Sequence, residues 1–121
     1  MATLRRLAPI LAVRDLSASL AHYRRLGFFV TEYEGGGYGF AARDGLEIHL
    51  GVPPDLGEDG RPGGVYLFVD DADALAREWQ AAGLDVRLPE DTDWNQHEGS
   101  HVDPDGNVLR FGSPMPHSHP H

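Results

Sequence analysis

The sequence predicts an α+β fold: two βαβββ modules pairing into a partial barrel around a cavity. Three observations lead there. Residues 13–30 return as residues 69–86, and Val13/Val69, Asp15/Asp71, Tyr23/Trp79, Gly27/Gly83 and Val30/Val86 keep one offset of 56 without a gap, the mark of a duplicated unit. Each copy places an acidic or hydroxyl N-cap before a helical apolar pattern and a glycine after it. Alternating apolar residues then follow in segments too short for helices. One such module leaves a sheet face that it cannot cover alone.

In chain order, 7–13 is a nearly continuous apolar run and reads as the first strand. Asp15 or Ser17 caps a helix whose Leu16, Leu20 and Tyr23 recur at i, i+4 and i+7, and Gly27 stops it. Residues 28–33 form a second strand. The glycines at 35–37 make a turn, and Tyr38, Phe40 and Ala42 alternate on a third strand. Asp44-Gly45 signals a hairpin into a fourth strand, on which Leu46, Ile48 and Leu50 face one way and Glu47 and His49 the other. Residues 52–63, with three prolines and three glycines, read as a linker between modules 7–51 and 64–112 of a single domain, 1–113. The second copy runs through a strand at 65–69 and a helix capped by Asp71 or Asp73, with Ala72, Leu75, Ala76, Trp79 and Ala82 on one side. Strands at 84–88, 97–103 and 108–111 follow, with 89–95 as a loop carrying Trp94. The tail, 114–121, holds three of the seven histidines between prolines and reads as disordered.

Composition excludes several functions. Without cysteine there is no disulfide, thiolate zinc site or cysteine nucleophile. A formal net charge of -9 argues against nucleic acid, which needs a basic face, and suits a cationic small ligand or simple solubility. No apolar run is long enough to span a bilayer, and the N-terminus does not read as a signal peptide. The expectation is a cytoplasmic protein without membrane partners.

The open sheet faces carry the candidate chemistry. Glu47 would attract a cationic ligand and His49 would hydrogen-bond it; the alternative is an internal ion pair of Glu47 with Arg110. Trp94 sits in a polar loop, where a flat indole would stack on an aromatic or cationic ligand or plug the loop. Tyr38 and Phe40 share a strand that should line the cavity with one face. Trp79, by its spacing with Leu75 and Ala76, is core. His97, Glu98 and His101 suggest a metal only in outline, since His-Glu-x-x-His on a helix is the zinc-protease pattern and both spacing and context differ here. An unconventional site joining His97 and His101 to His49 or Glu47 is the remaining metal reading.

Val-Arg-Asp-Leu (13–16), Tyr-Arg-Arg-Leu-Gly-Phe (23–28), Asp-Gly-Leu-Glu-Ile-His-Leu (44–50) and Asp-Pro-Asp-Gly-Asn-Val-Leu-Arg-Phe (103–111) together resemble the vicinal oxygen chelate superfamily. It includes glyoxalase I, extradiol dioxygenases and bleomycin-resistance proteins, and the resemblance implies the glyoxalase/bleomycin-resistance fold. Enzymes of the superfamily hold a divalent metal with residues of the first and fourth strands of each module. Matched here, those positions are Ala8, Gly64, Glu47 and Arg110. Only Glu47 can bind a metal, so the resemblance implies no metal and no cofactor. It points to the bleomycin-resistance branch, with its Glu-x-His-Leu strand, loop tryptophan and acidic surface. The implied function is antibiotic binding and sequestration by a homodimer, with pockets lined by both chains. Trp94, Glu47, His49, Arg110, Tyr38, Phe40 and His101 are the candidate ligand-binding residues. The alternatives are a metal-dependent lyase or dioxygenase with a displaced site, and a non-catalytic structural or regulatory dimer.

Overall fold

A computed structural model describes residues 1–52 and 61–115; most of the expected linker, and the tail beyond Met115, lie outside the described residues. The chain divides into two compact units, Met1–Arg61 and Pro62–His121. The first contains β1 (Ile10–Ala12), α1 (Leu16–Arg25), β2 (Phe29–Glu32), β3 (Tyr38–Arg43) and β4 (Leu46–Gly51). The second contains β5 (Gly64–Phe68), α2 (Ala72–Ala81), β6 (Arg87–Asp91), β7 (Gln96–Val102) and β8 (Val108–Pro114). Each is a four-stranded sheet, ordered β1-β4-β3-β2 and β5-β8-β7-β6, in which the first and last strands run parallel. The expected α+β class and the two βαβββ modules are therefore observed.

The duplicated segment repeats its hydrogen bonds as well as its letters. Asp15 accepts from the Ala18 amide and Asp71 from the Ala74 amide, both at 3.0 Å, which decides each cap against Ser17 and Asp73. Each helix ends at a glycine with positive φ, Gly27 at 92° and Gly83 at 82°. The next amide reaches back to the helix: Phe28 to the Tyr23 carbonyl and Leu84 to that of Trp79. One face of each sheet packs on its own helix. Leu11, Val13, Leu20, Tyr23, Ile48 and Leu50 are buried in the first unit, and Ala76, Trp79, Leu109 and Phe111 in the second. Trp79 is core, as its spacing indicated; Ala82 is an exposed C-cap.

Two strand assignments shift. The strand expected at 84–88 runs from Arg87 to Asp91 and takes in Pro89, part of the expected loop. Proline is tolerated because β6 is an edge strand, and its pairing with β7 slips between Arg87 and Glu90. Pro114, expected to open the tail, is instead paired with Gln96 as the end of β8.

Candidate functional site

The face of each sheet away from its helix carries the candidate side chains. In the first unit, register places Phe40 beside His49 and Ala42 beside Glu47, so Tyr38, Phe40, Glu47 and His49 share that face, as alternation implied. They form a chain: the Tyr38 hydroxyl is 2.8 Å from His49 Nδ1, and His49 Nε2 is 2.5 Å from Glu47 Oε1. An ionised carboxylate only accepts, so neutral His49 carries its proton on Nε2 and its Nδ1 accepts from Tyr38. Phe40 meets the imidazole edge-on, with ring centroids 5.0 Å apart. The His49 hydrogen bond, opposed by desolvation and aided by Arg6 at 3.5 Å, holds the Glu47 carboxyl below its ordinary range. The partners of Glu47 are thus His49 and Arg6, and its charge is already engaged.

The second unit presents a cavity of about 680 Å³ on the corresponding face. Trp94 stands at its rim on the Thr92–Asn95 turn. Thr92 ties that turn to Gln96 through backbone and hydroxyl, and Asn95 takes a φ of 62°. The indole is 60 % exposed, and its Nε1 donates to Glu98 at 3.2 Å. Tyr66 lines the same cavity. Burial first, and the neighbouring Glu98 carboxylate next, push its phenol above the ordinary value, so it stays a donor. Its hydroxyl and the Gln96 amide oxygen are buried and have no hydrogen-bond partner among the described residues, although Glu98 and Trp94 are close enough to act on Tyr66 electrostatically. Arg110 lines this cavity too, and so do Arg87 and Ser100. Sequence reasoning missed Tyr66 and Arg87, and it noticed Glu98 only as part of a rejected metal pattern. Alternation along β7 was the signal that would have separated Glu98 from the histidines flanking it.

The remaining candidates go elsewhere. His101 lies on the helix side, 4 % exposed, with Nδ1 donating to the Asp85 carbonyl at 2.6 Å and its ring edge-on to Trp79. It does not line the cavity. His97 also faces the helix side, with Nδ1 2.9 Å from Asp91 and Nε2 3.0 Å from Asp73. Among the described residues no three His, Asp or Glu side chains are arranged to hold a metal ion.

The register also corrects the matching of metal-ligand positions. Val13 donates to the Gly51 carbonyl and Val69 to that of Gly112, so β4 corresponds to β8 at an offset of 61. Ile10 pairs with His49 and Tyr66 with Arg110. Arg110 is therefore the counterpart of His49, and Val108 that of Glu47. The fourth position of the set is an apolar valine, not a cation, and it too cannot bind a metal.

A family model described as the Glyoxalase/Bleomycin resistance protein/Dioxygenase superfamily matches residues 4–111. The chain belongs to that superfamily. No curated protein sequence matches it. Among solved structures, this superfamily member is similar to a bleomycin resistance determinant encoded on the transposon Tn5. That likeness has 25% identity and a TM-score of 0.80, covering 92% of this chain and 98% of the other. A bleomycin-binding protein complexed with bleomycin is also 25% identical, with a TM-score of 0.79, over 93% of this chain and all of its own. A lactoylglutathione lyase from Agrobacterium tumefaciens shares the fold at 19% identity and a TM-score of 0.74, over 93% of this chain and 95% of its own. No helix among the described residues is long and apolar enough to cross a membrane.

His97 gives this superfamily member a pH signature. The Asp73 hydrogen bond raises its pKa, desolvation opposes, and Asp91 adds to the rise. Both ring nitrogens donate to carboxylates only in the imidazolium form. With the folded value above the unfolded one of about 6.5, the stabilisation is complete below about pH 6.5. It is lost as pH rises through the folded value. Urea unfolding at several pH values should show wild type ahead of His97→Gln in mildly acidic buffer, with the gap narrowing in alkali. A gap that widens with pH would refute the assignment.

Proposed function

We propose that this protein captures a small aromatic or cationic molecule without metal and without making or breaking a bond, with a bleomycin-type antibiotic as the leading ligand. The observation that carries the reading is the cavity of about 680 Å³ with Trp94 at its rim, large enough for a drug-sized fragment. Trp94 offers a flat, largely exposed indole held at one edge by Glu98. Glu90, Asp91 and Glu98 supply negative charge along the lining. Likeness at 25% identity to a protein crystallised with bleomycin supports the choice of ligand. Pairing of two copies, with each completing the other's pocket, belongs to the same proposal. The mechanism is stoichiometric: stacking on the indole, charge complementarity from the carboxylates, and release set only by affinity.

The test is a calorimetric titration of copper-loaded bleomycin into chelator-treated protein truncated after Met115, which leaves β8 whole and removes the histidine tail. Saturable binding near one ligand per chain is expected, weakened about tenfold by Trp94→Ala, the order of magnitude of a lost aromatic stack. Absence of heat at high protein concentration would remove bleomycin. Restored binding or activity on adding one divalent metal would move the assignment to an enzyme.

A further inference from the structure

The cavity of the second unit contains a feature that cation capture does not use. On its face, strand register lines up Tyr66, Arg110, Ser100 and Arg87 across β5, β8, β7 and β6, each the cross-strand partner of the next. All four line the cavity. Arg110 and Arg87 thus flank Ser100 in the row, each on a strand about 5 Å from that of the serine. Among the described residues neither Arg87 nor Arg110 has an ion-pair partner. Neither pairs with Glu90, Asp91 or Glu98, which line the same cavity. Glu98 is one pleat along on the same face, yet its carboxylate turns to the Trp94 indole.

Two arginines in one row repel each other, and an anion held between them relieves that repulsion. Planar guanidinium forks match the geometry of a carboxylate or phosphate, and a serine hydroxyl between them adds a third donor. The first unit has nothing equivalent: at the positions of Ser100 and Arg110 stand Phe40 and His49, the latter engaged with Glu47.

We infer that Arg87, Ser100 and Arg110 form an oxyanion subsite, and that the natural ligand of this cavity is a planar aromatic molecule carrying a carboxylate or phosphate group. The oxyanion lies between the two arginines, and the aromatic body extends over Tyr66 toward Trp94. The inference rests on the capture reading only in sharing its cavity, and it selects a different ligand chemistry from a cationic antibiotic.

The experiment is calorimetry on the full chain with phenyl phosphate, phenol and inorganic phosphate as probes. Phenyl phosphate should bind saturably and about tenfold or more tightly than phenol. Arg110→Gln and Arg87→Gln should each weaken it about tenfold while leaving phenol unchanged. Arg110→Lys should recover only part, since it restores charge but not the fork. Both arginines are exposed, so unchanged thermal midpoints will certify folding. Phenyl phosphate binding no tighter than phenol, or indifferent to both substitutions, would overturn the subsite. Benzoate binding with the same arginine dependence identifies carboxylate as the preferred oxyanion; inorganic phosphate binding as tightly as phenyl phosphate, with that dependence, keeps the subsite and overturns the aromatic part of the ligand. Copper-loaded bleomycin titrated in parallel separates the two proposals. If bleomycin fails while phenyl phosphate binds, only the antibiotic falls; if bleomycin binds and phenyl phosphate does not, only the subsite falls.

Discussion

Trp79→Ala should lower stability by about 3–5 kcal/mol, the usual loss for truncating a buried tryptophan. Trp79 is 1 % exposed and the largest fully buried side chain. It packs edge-on to Phe111 at 5.2 Å and His101 at 5.8 Å, joining α2 to both central strands of its sheet. Against a total of about 5–15 kcal/mol for a domain of this kind, such a loss removes a large share of the margin. Urea unfolding with an unchanged slope and a much lower midpoint is the expected result. A loss below about 1 kcal/mol would mean that the indole is not the centre of that core.

Gly99→Ala is the second large effect, and it reaches the cavity. A Cβ at Gly99 would lie 2.6 Å from the Arg87 carbonyl oxygen and 2.7 Å from Phe111 Cζ. The first neighbour is backbone and the second is locked in the core, so neither gives way cheaply. We expect a loss of about 1–3 kcal/mol, the range for overpacking, together with faster amide exchange along β6, the strand pushed outward. Phenyl phosphate binding should weaken as well, because β6 carries Arg87. Gly39→Ala is the control, since Gly39 holds the same place in the first sheet. There the nearest atom, at 2.8 Å, is Leu20 Cδ2 and the nearest backbone oxygen is 3.4 Å away, so the smaller loss belongs to Gly39. Equal losses would refute the backbone argument.

Helices and caps were the most legible part of this sequence, because Asp15, Asp71, Gly27 and Gly83 signal by local chemistry that needs no tertiary context. The facing of Glu47 and His49 was legible for a similar reason: alternation on a strand is geometric. Register was not. The offset of 56 holds through the helices but becomes 60 at β7 and 61 at β8, because the second module is longer between Gly83 and Gly112 than the first between Gly27 and Gly51. The sequence reading set Arg110 against Glu47, two places from its counterpart in register, His49. The changing offset also hid the row of Arg87, Ser100 and Arg110, whose members are far apart in the chain and adjacent only through strand pairing. β6 was expected three residues early, ending at Leu88, because Pro89 argues against a strand except at an edge. His101 was misplaced because a histidine on a strand reads as polar, while here its ring packs on Trp79 and its Nδ1–H donates to the Asp85 carbonyl.

Every strand pairing described joins residues of the same half of the chain. The farthest registered partners are Ile10 with His49 in one half and Tyr66 with Arg110 in the other. Neither sheet needs a strand from the other to complete its ladder, so no strand pairing described spans more than one half of the chain, which favours faster folding than pairing across the whole chain would. During synthesis the first sheet has all its strands once Gly51 has cleared the ribosome, before the second helix has emerged. Within each half the order of events is also constrained. The antiparallel hairpins close over short turns, whereas β1 and β5 must wait for the last strand of their module before they can dock in parallel. The first strand made is therefore the last to be secured, and until then each growing half exposes an unpaired edge along its final strand.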